Sequence, residues 1–117
     1  MRQIEQLYTN EFGMAFYWRE DQQVFSQKVQ IVFKETGFYF TPAELQKFAE
    51  LIEDSCRKNS CAGCNMRSGC IKFLLKTPVS QIDLAVSMEE LNGIKDLVHG
   101  VLFRLQLERF INAEGRN

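Results

Sequence analysis

Two helix starts, 46 positions apart, are spelled alike in this chain. Thr41-Pro42-Ala43-Glu44 and Ser87-Met88-Glu89-Glu90 each set a hydroxyl residue three positions before a glutamate. That spacing predicts a capping box, in which the two side chains satisfy each other's free backbone amides. Pro42, at the first helical position, strengthens the first of them. An apolar stripe at three- and four-residue spacing follows each start. Leu45, Phe48, Ala49 and Ile52 form one; Leu91, Ile94, Val98, Val101 and Leu105, widened by Leu97 and Leu102, form the other. Such stripes mark helices that bury one side. Any fold for this chain must therefore lay two amphipathic helices against an apolar surface.

Alternation supplies that surface. Met14, Phe16 and Trp18 alternate with Ala15 and Tyr17, and Val29, Ile31 and Phe33 alternate with Lys28, Gln30 and Lys34. A period of two with aromatic and β-branched residues is the pattern of strands. The polar break Arg19 to Gln23 contains no Asn-Gly or Gly-Gly, so a connection longer than two residues is expected there. Glu35-Thr36-Gly37 reads as a turn and Phe38-Tyr39-Phe40 as a short strand. Ile71, Phe73 and Leu75, then Ile82, Leu84 and Val86, read as two more strands around a loop containing Pro78. Residues 1–11 fit either a helical turn or an edge strand. The second helix is expected to fray after Phe110, leaving a polar tail.

Strand, turn, strand and capped helix thus occur twice. Thr41 corresponds to Ser87, Glu44 to Glu90, Leu45 to Leu91, Phe48 to Ile94 and Ile52 to Val98. With 45% apolar residues the chain can fill one core unaided. The expected fold is α+β: an antiparallel sheet of four to five strands with two helices on one face. It reads as a single domain over residues 1–117, built from two ββα repeats with a Cys-rich insertion, residues 56–70, between them.

All four cysteines, Cys56, Cys61, Cys64 and Cys70, lie in that insertion, spaced C-x4-C-x2-C-x5-C. Four thiolates satisfy tetrahedral zinc or an iron–sulfur centre. Gly63 and Gly69 can adopt the positive φ that a tight metal knuckle uses. One structural zinc is the first reading and an iron–sulfur cluster the second. Two disulfides in any of three connectivities, or four reduced thiols, are the plain alternatives. Cys61 and Cys64 also form the C-x-x-C of a thiol–disulfide oxidoreductase, although here the pair follows a helix instead of opening one. Cys56 lies four beyond Ile52 on the same stripe, which predicts a thiol facing the core.

The first three cysteines resemble the opening of plant-type ferredoxins, C-x4-C-x2-C, with a fourth cysteine much nearer than in that family. Cys61, Cys64 and Cys70 are similar to the C-x2-C-x5-C part of auxiliary iron–sulfur domains of radical enzymes, without their further cysteines. VQIVFKETGFYFTPAELQKFAELI, with the second strand–helix unit, resembles an uncharacterised family of small bacterial domains. That resemblance implies a small bacterial domain and no particular activity.

Between Cys56 and Lys76 stand Arg57, Lys58, Arg67, Lys72 and Lys76, and no acid. These cations can offset a thiolate-bound metal, or Arg57, Lys58, Arg67 and Lys72 can meet phosphate or an acidic partner. A net charge of −1 argues against a general nucleic-acid binder, and Phe73 is the sole aromatic nearby. No apolar run is long enough for a membrane span, and MRQIEQLYTNEF lacks the core of a signal peptide. A cytoplasmic setting, with reduced thiols, is expected. His99 is the single histidine, and no phosphate loop or nucleophile elbow is present. The chain therefore reads as a small non-catalytic metal-binding module presenting a basic surface to a partner. Homo-oligomerisation is compatible with the sequence but carried by no motif.

Overall fold

In the computed structural model, which describes residues 2–60 and 72–115, the two apolar stripes and one face of a sheet close on each other. β1 (Arg2–Asn10), β2 (Gly13–Glu20), β3 (Gln23–Phe33) and β4 (Thr36–Phe40) form an antiparallel sheet in that order. α1 (Pro42–Ser60) follows. β5 (Phe73–Lys76) and β6 (Asp83–Val86) form a separate antiparallel hairpin, and α2 (Met88–Gly115) comes after it. The fold is α+β, as the patterning predicts. Its strands divide into four and two because β5 and β6 pair only with each other among the described residues.

Several expectations need correction. The β2–β3 connection is short, with Glu20 paired to Gln23. Asp21 makes this turn with a φ of 55°, and a short polar side chain tolerates that region better than most. The next turn lies at Lys34-Glu35, not Glu35-Thr36-Gly37: Phe33 pairs with Thr36, and Lys34 takes a φ of 55°. Residues 2–10, open between two readings in sequence, take the edge-strand one. The second helix runs on past Phe110 to Gly115.

The core lies on one sheet face. Ala15, Tyr17, Val29, Ile31, Phe33, Phe38 and Phe40 point into it, joined by Leu7 from a bulge in β1. Phe48 of α1 is fully buried, its ring 5.8 Å from those of both Phe38 and Phe40. Leu45, Ile52, Leu91, Ile94 and Val98 are also fully buried. Phe16 is buried on the opposite sheet face, edge-on to Trp18 at 5.0 Å.

The β1–β2 hairpin is seated on α2 through two glycines. A Cβ on Gly93 would fall 2.3 Å from the Phe12 ring, and one on Gly100 would fall 2.6 Å from the Tyr8 ring. Glycine costs a helix about 1 kcal/mol relative to alanine; here it provides flat seats for two aromatic rings. Between them, Tyr8 donates its hydroxyl to Asp96 at 3.0 Å, and Asn10 Nδ2 donates to the Gly93 carbonyl and to Asp96 at 2.9 Å.

Both capping boxes form. Thr41 Oγ1 accepts from the Glu44 amide at 3.1 Å, and Glu44 accepts from the Thr41 amide at 2.8 Å. Ser87 and Glu90 repeat this at 3.1 and 2.9 Å. Glu90 does more. Its carboxylate, mostly shielded from solvent, also takes Lys72 Nζ at 3.0 Å and Lys34 Nζ. One side chain thus ties the β3–β4 turn and the residue leading into β5 to the start of α2. The Lys34 hydrogen bond, then the Ser87 amide, lower the Glu90 pKa from 4.5 to about 2. A carboxyl depressed on folding adds stability above its unfolded pKa and loses it as pH falls through the folded one. Glu90→Gln keeps the reciprocal cap but not the charge. It is expected to cost about 1–2 kcal/mol at neutral pH, tempered because both lysines are partly exposed. The gap should close as pH falls from 4.5 toward 2, read by urea titration at each pH. A gap independent of pH would refute the assignment.

Candidate metal centre

The last turns of α1 carry the first thiol. Cys56 is half-buried and packs against the core beyond Ile52, as its spacing predicts. Burial pushes its thiol pKa up; Lys95 pulls it down and Glu53 adds to the rise. A thiol so placed is a weak nucleophile. To act as a metal ligand it would have to give up its proton, so any metal held there would bind more weakly in acid.

Glu53, three positions before Cys56, bridges the helices. It meets His99 Nε2 at 3.1 Å and Lys95 Nζ at 3.6 Å. The single histidine is therefore a half-exposed residue at the α1–α2 boundary, engaged by a carboxylate. Glu53 and His99 stand 46 positions apart, the same separation as the two caps.

The cations do not stand alone. Asp54 takes Arg57 and Lys58, each at 3.0 Å. The Lys58 hydrogen bond leads in holding the Asp54 carboxyl below its usual range. Lys72 is engaged by Glu90. Arg57, Lys58 and Lys72 thus belong to a run without acids in sequence but receive carboxylates from outside it. The Asp54 pairs were legible as i,i+3 and i,i+4 spacings on a helix. The Glu90 pair was not, since Glu90 is eighteen positions from Lys72. Cys61, Cys64, Arg67 and Cys70 lie outside the described residues. Among the described residues, no three His, Cys, Asp or Glu side chains gather as a metal-holding group.

A cavity of about 800 Å³ opens on the sheet face turned away from the helices. It lies where β3 leaves β2, between the Phe16–Gln30 and Trp18–Phe25 pairs. Trp18, Phe25, Lys28, Gln30 and Tyr39 are among its walls. Gln30 is fixed at both ends: Oε1 accepts from Trp18 Nε1 at 3.1 Å, and Nε2 donates to the Phe38 carbonyl at 3.0 Å. Lys28 sits 5.3 Å over the Tyr39 ring.

No described helix is long and apolar enough to cross a membrane. No protein-family model matches this chain, and neither does any curated protein or any solved structure.

Proposed function

We propose that this chain is a small non-catalytic metal-binding module in which Cys56, Cys61, Cys64 and Cys70 hold one zinc ion. The reading rests on one observation: the C-x4-C-x2-C-x5-C run begins at a thiol that α1 anchors against the core. A four-cysteine zinc centre is coordinatively closed, so it supplies rigidity and not water activation. The core is extensive without it, which makes the cysteine run a presented element more than a folding requirement. In this reading the two capped ββα units are copies of one ancestral unit, and the protein works in a reducing cytoplasm.

Arg57 and Lys58 then face a partner bearing carboxylate or phosphate. Their pairs with Asp54 are exposed, and such pairs are worth about 0–1 kcal/mol. A partner can take them over at little cost. Lys72, held by Glu90, is less free to exchange; Arg67 completes the proposed set.

Metal analysis of protein purified without chelator or oxygen tests the proposal. One zinc per chain is expected, and Cys61→Ser with Cys64→Ser should abolish it while helical circular dichroism persists. Iron with visible absorption would move the assignment to an iron–sulfur protein. Two disulfides in the anaerobic protein would overturn it, and global unfolding of the double variant would make the metal a folding requirement.

A further inference from the structure

The cavity on the outer sheet face is built by a detour of β3. Tyr17 alone separates Phe16 from Trp18 in β2, whereas Ser26, Gln27, Lys28 and Val29 separate their partners, Gln30 and Phe25, in β3. Val29 is buried and paired with Phe40, so the surplus falls on residues 26–28, which line the opening. The resulting hollow, about 800 Å³, is of the size that takes a small organic molecule. Trp18 of β2 and Tyr39 of β4 stand on either side of Gln30 of β3.

The Gln30 amide is fixed in a definite sense. A carboxamide carries two lone pairs and two N–H groups. Trp18 Nε1 donates to one lone pair from the β2 side at 3.1 Å, and one N–H donates to the Phe38 carbonyl on the β4 side at 3.0 Å. With both flanks engaged, the acceptor and the donor left over lie side by side on the outer edge of the amide. Gly37, on the next rung of β4, leaves the donor end uncovered: a Cβ there would lie 3.2 Å from Nε2.

We propose that this cavity binds a small planar heterocycle with a donor beside an acceptor on one edge, the chemistry of a nucleobase. A fixed carboxamide reads such an edge with two parallel hydrogen bonds, as Asn and Gln do with adenine, and aromatic side chains flank the ring. Charge does not select the ligand. The walls hold one carboxylate, Glu20, and one ammonium, Lys28, and Lys28 is drawn over the Tyr39 ring, 5.3 Å from its centre. A neutral base or nucleoside therefore fits this site better than a polyanionic strand, in keeping with the net charge of −1.

Titration of the full chain with two nucleoside pairs is the test. Uridine is compared with 3-methyluridine, which blocks the donor, and adenosine with purine riboside, which lacks it. Calorimetry gives the affinity, and the emission of Trp18, the single tryptophan of the chain, reports the site. One of the two nucleosides should bind and shift that emission, with its blocked analogue weaker by ~10-fold or more, within the worth of a bidentate pair. Gln30→Met should erase the preference with unchanged circular dichroism; should that variant misfold, the analogue comparison on the wild type decides alone. Failure of both nucleosides to bind at millimolar concentration overturns the proposal. So does equal binding of each nucleoside and its analogue, or a preference that survives in a folded Gln30→Met chain.

Discussion

Gly13→Ala is expected to destabilise the fold by about 3 kcal/mol or more, beyond the usual cost of overpacking. Gly13 opens β2 opposite Phe33. A Cβ there would fall 2.0 Å from the carbonyl oxygen of Val32 and 3.1 Å from Leu97. The first obstacle is backbone in the middle of the sheet, so relief means moving β3 against β2. Gly37→Ala is the control. Its Cβ would meet only the amide end of Gln30, at 3.2 Å, and a side chain can shift. That variant should stay within ~1 kcal/mol of wild type. Urea titration of both measures the contrast, and equal losses would show that strand propensity and not the Val32 clash sets the cost.

Phe48→Ala should cost about 3–5 kcal/mol, the range for emptying an aromatic site in a packed core. Phe48 is fully buried, and its ring reaches both Phe38 and Phe40. Those two rings stack on each other at 5.1 Å, which limits how far β4 can collapse into the space. Phe103→Ala, by contrast, removes a ring that the fold leaves mostly in water. It should change monomer stability by no more than ~0.5 kcal/mol. Chemical denaturation with an unchanged m-value would confirm that the loss for Phe48 reflects packing and not a looser unfolded state. A loss below ~1 kcal/mol would mean the neighbours refill the site.

The helices were legible because capping and periodicity are local. Thr41 and Glu44, or Ser87 and Glu90, need only a helix start to find each other, and each pair does. The core stripe from Leu45 to Ile52 was likewise readable, and it carried the correct placement of Cys56 with it. The hairpin turns were harder. Asp21 and Lys34 adopt positive φ without being glycine; Asp21 suits that region, while at Lys34 the pairing of Phe33 with Thr36 places the turn. β1 stayed ambiguous between an edge strand and a helical turn because its sequence is mostly polar, and its buried residue, Leu7, enters through a bulge. Around the cysteines, spacing named the thiols and the Asp54 pairs, while the carboxylate that meets Lys72 came from tertiary structure. Glu90 is read from sequence as a cap alone. Only the fold brings Lys34 and Lys72 to it.

The seating of the first hairpin on α2 has a kinetic consequence. The contacts that hold it are among the most distant in the chain: Asn10 to Gly93 spans 83 positions, Tyr8 to Asp96 spans 88, and Arg104 to the Leu7 carbonyl spans 97. Long-range closures of this kind slow folding, because the intervening chain must be ordered before they reward it. During synthesis β1 and β2 emerge well before α2, which makes their seat. Until Gly93 and Gly100 leave the ribosome, Tyr8 and Phe12 lack the helix they sit on, and a nascent sheet must wait with its aromatic side uncovered. The N-terminal hairpin is therefore where a chaperone would be expected to hold this protein, and where aggregation would begin if α2 were delayed or truncated.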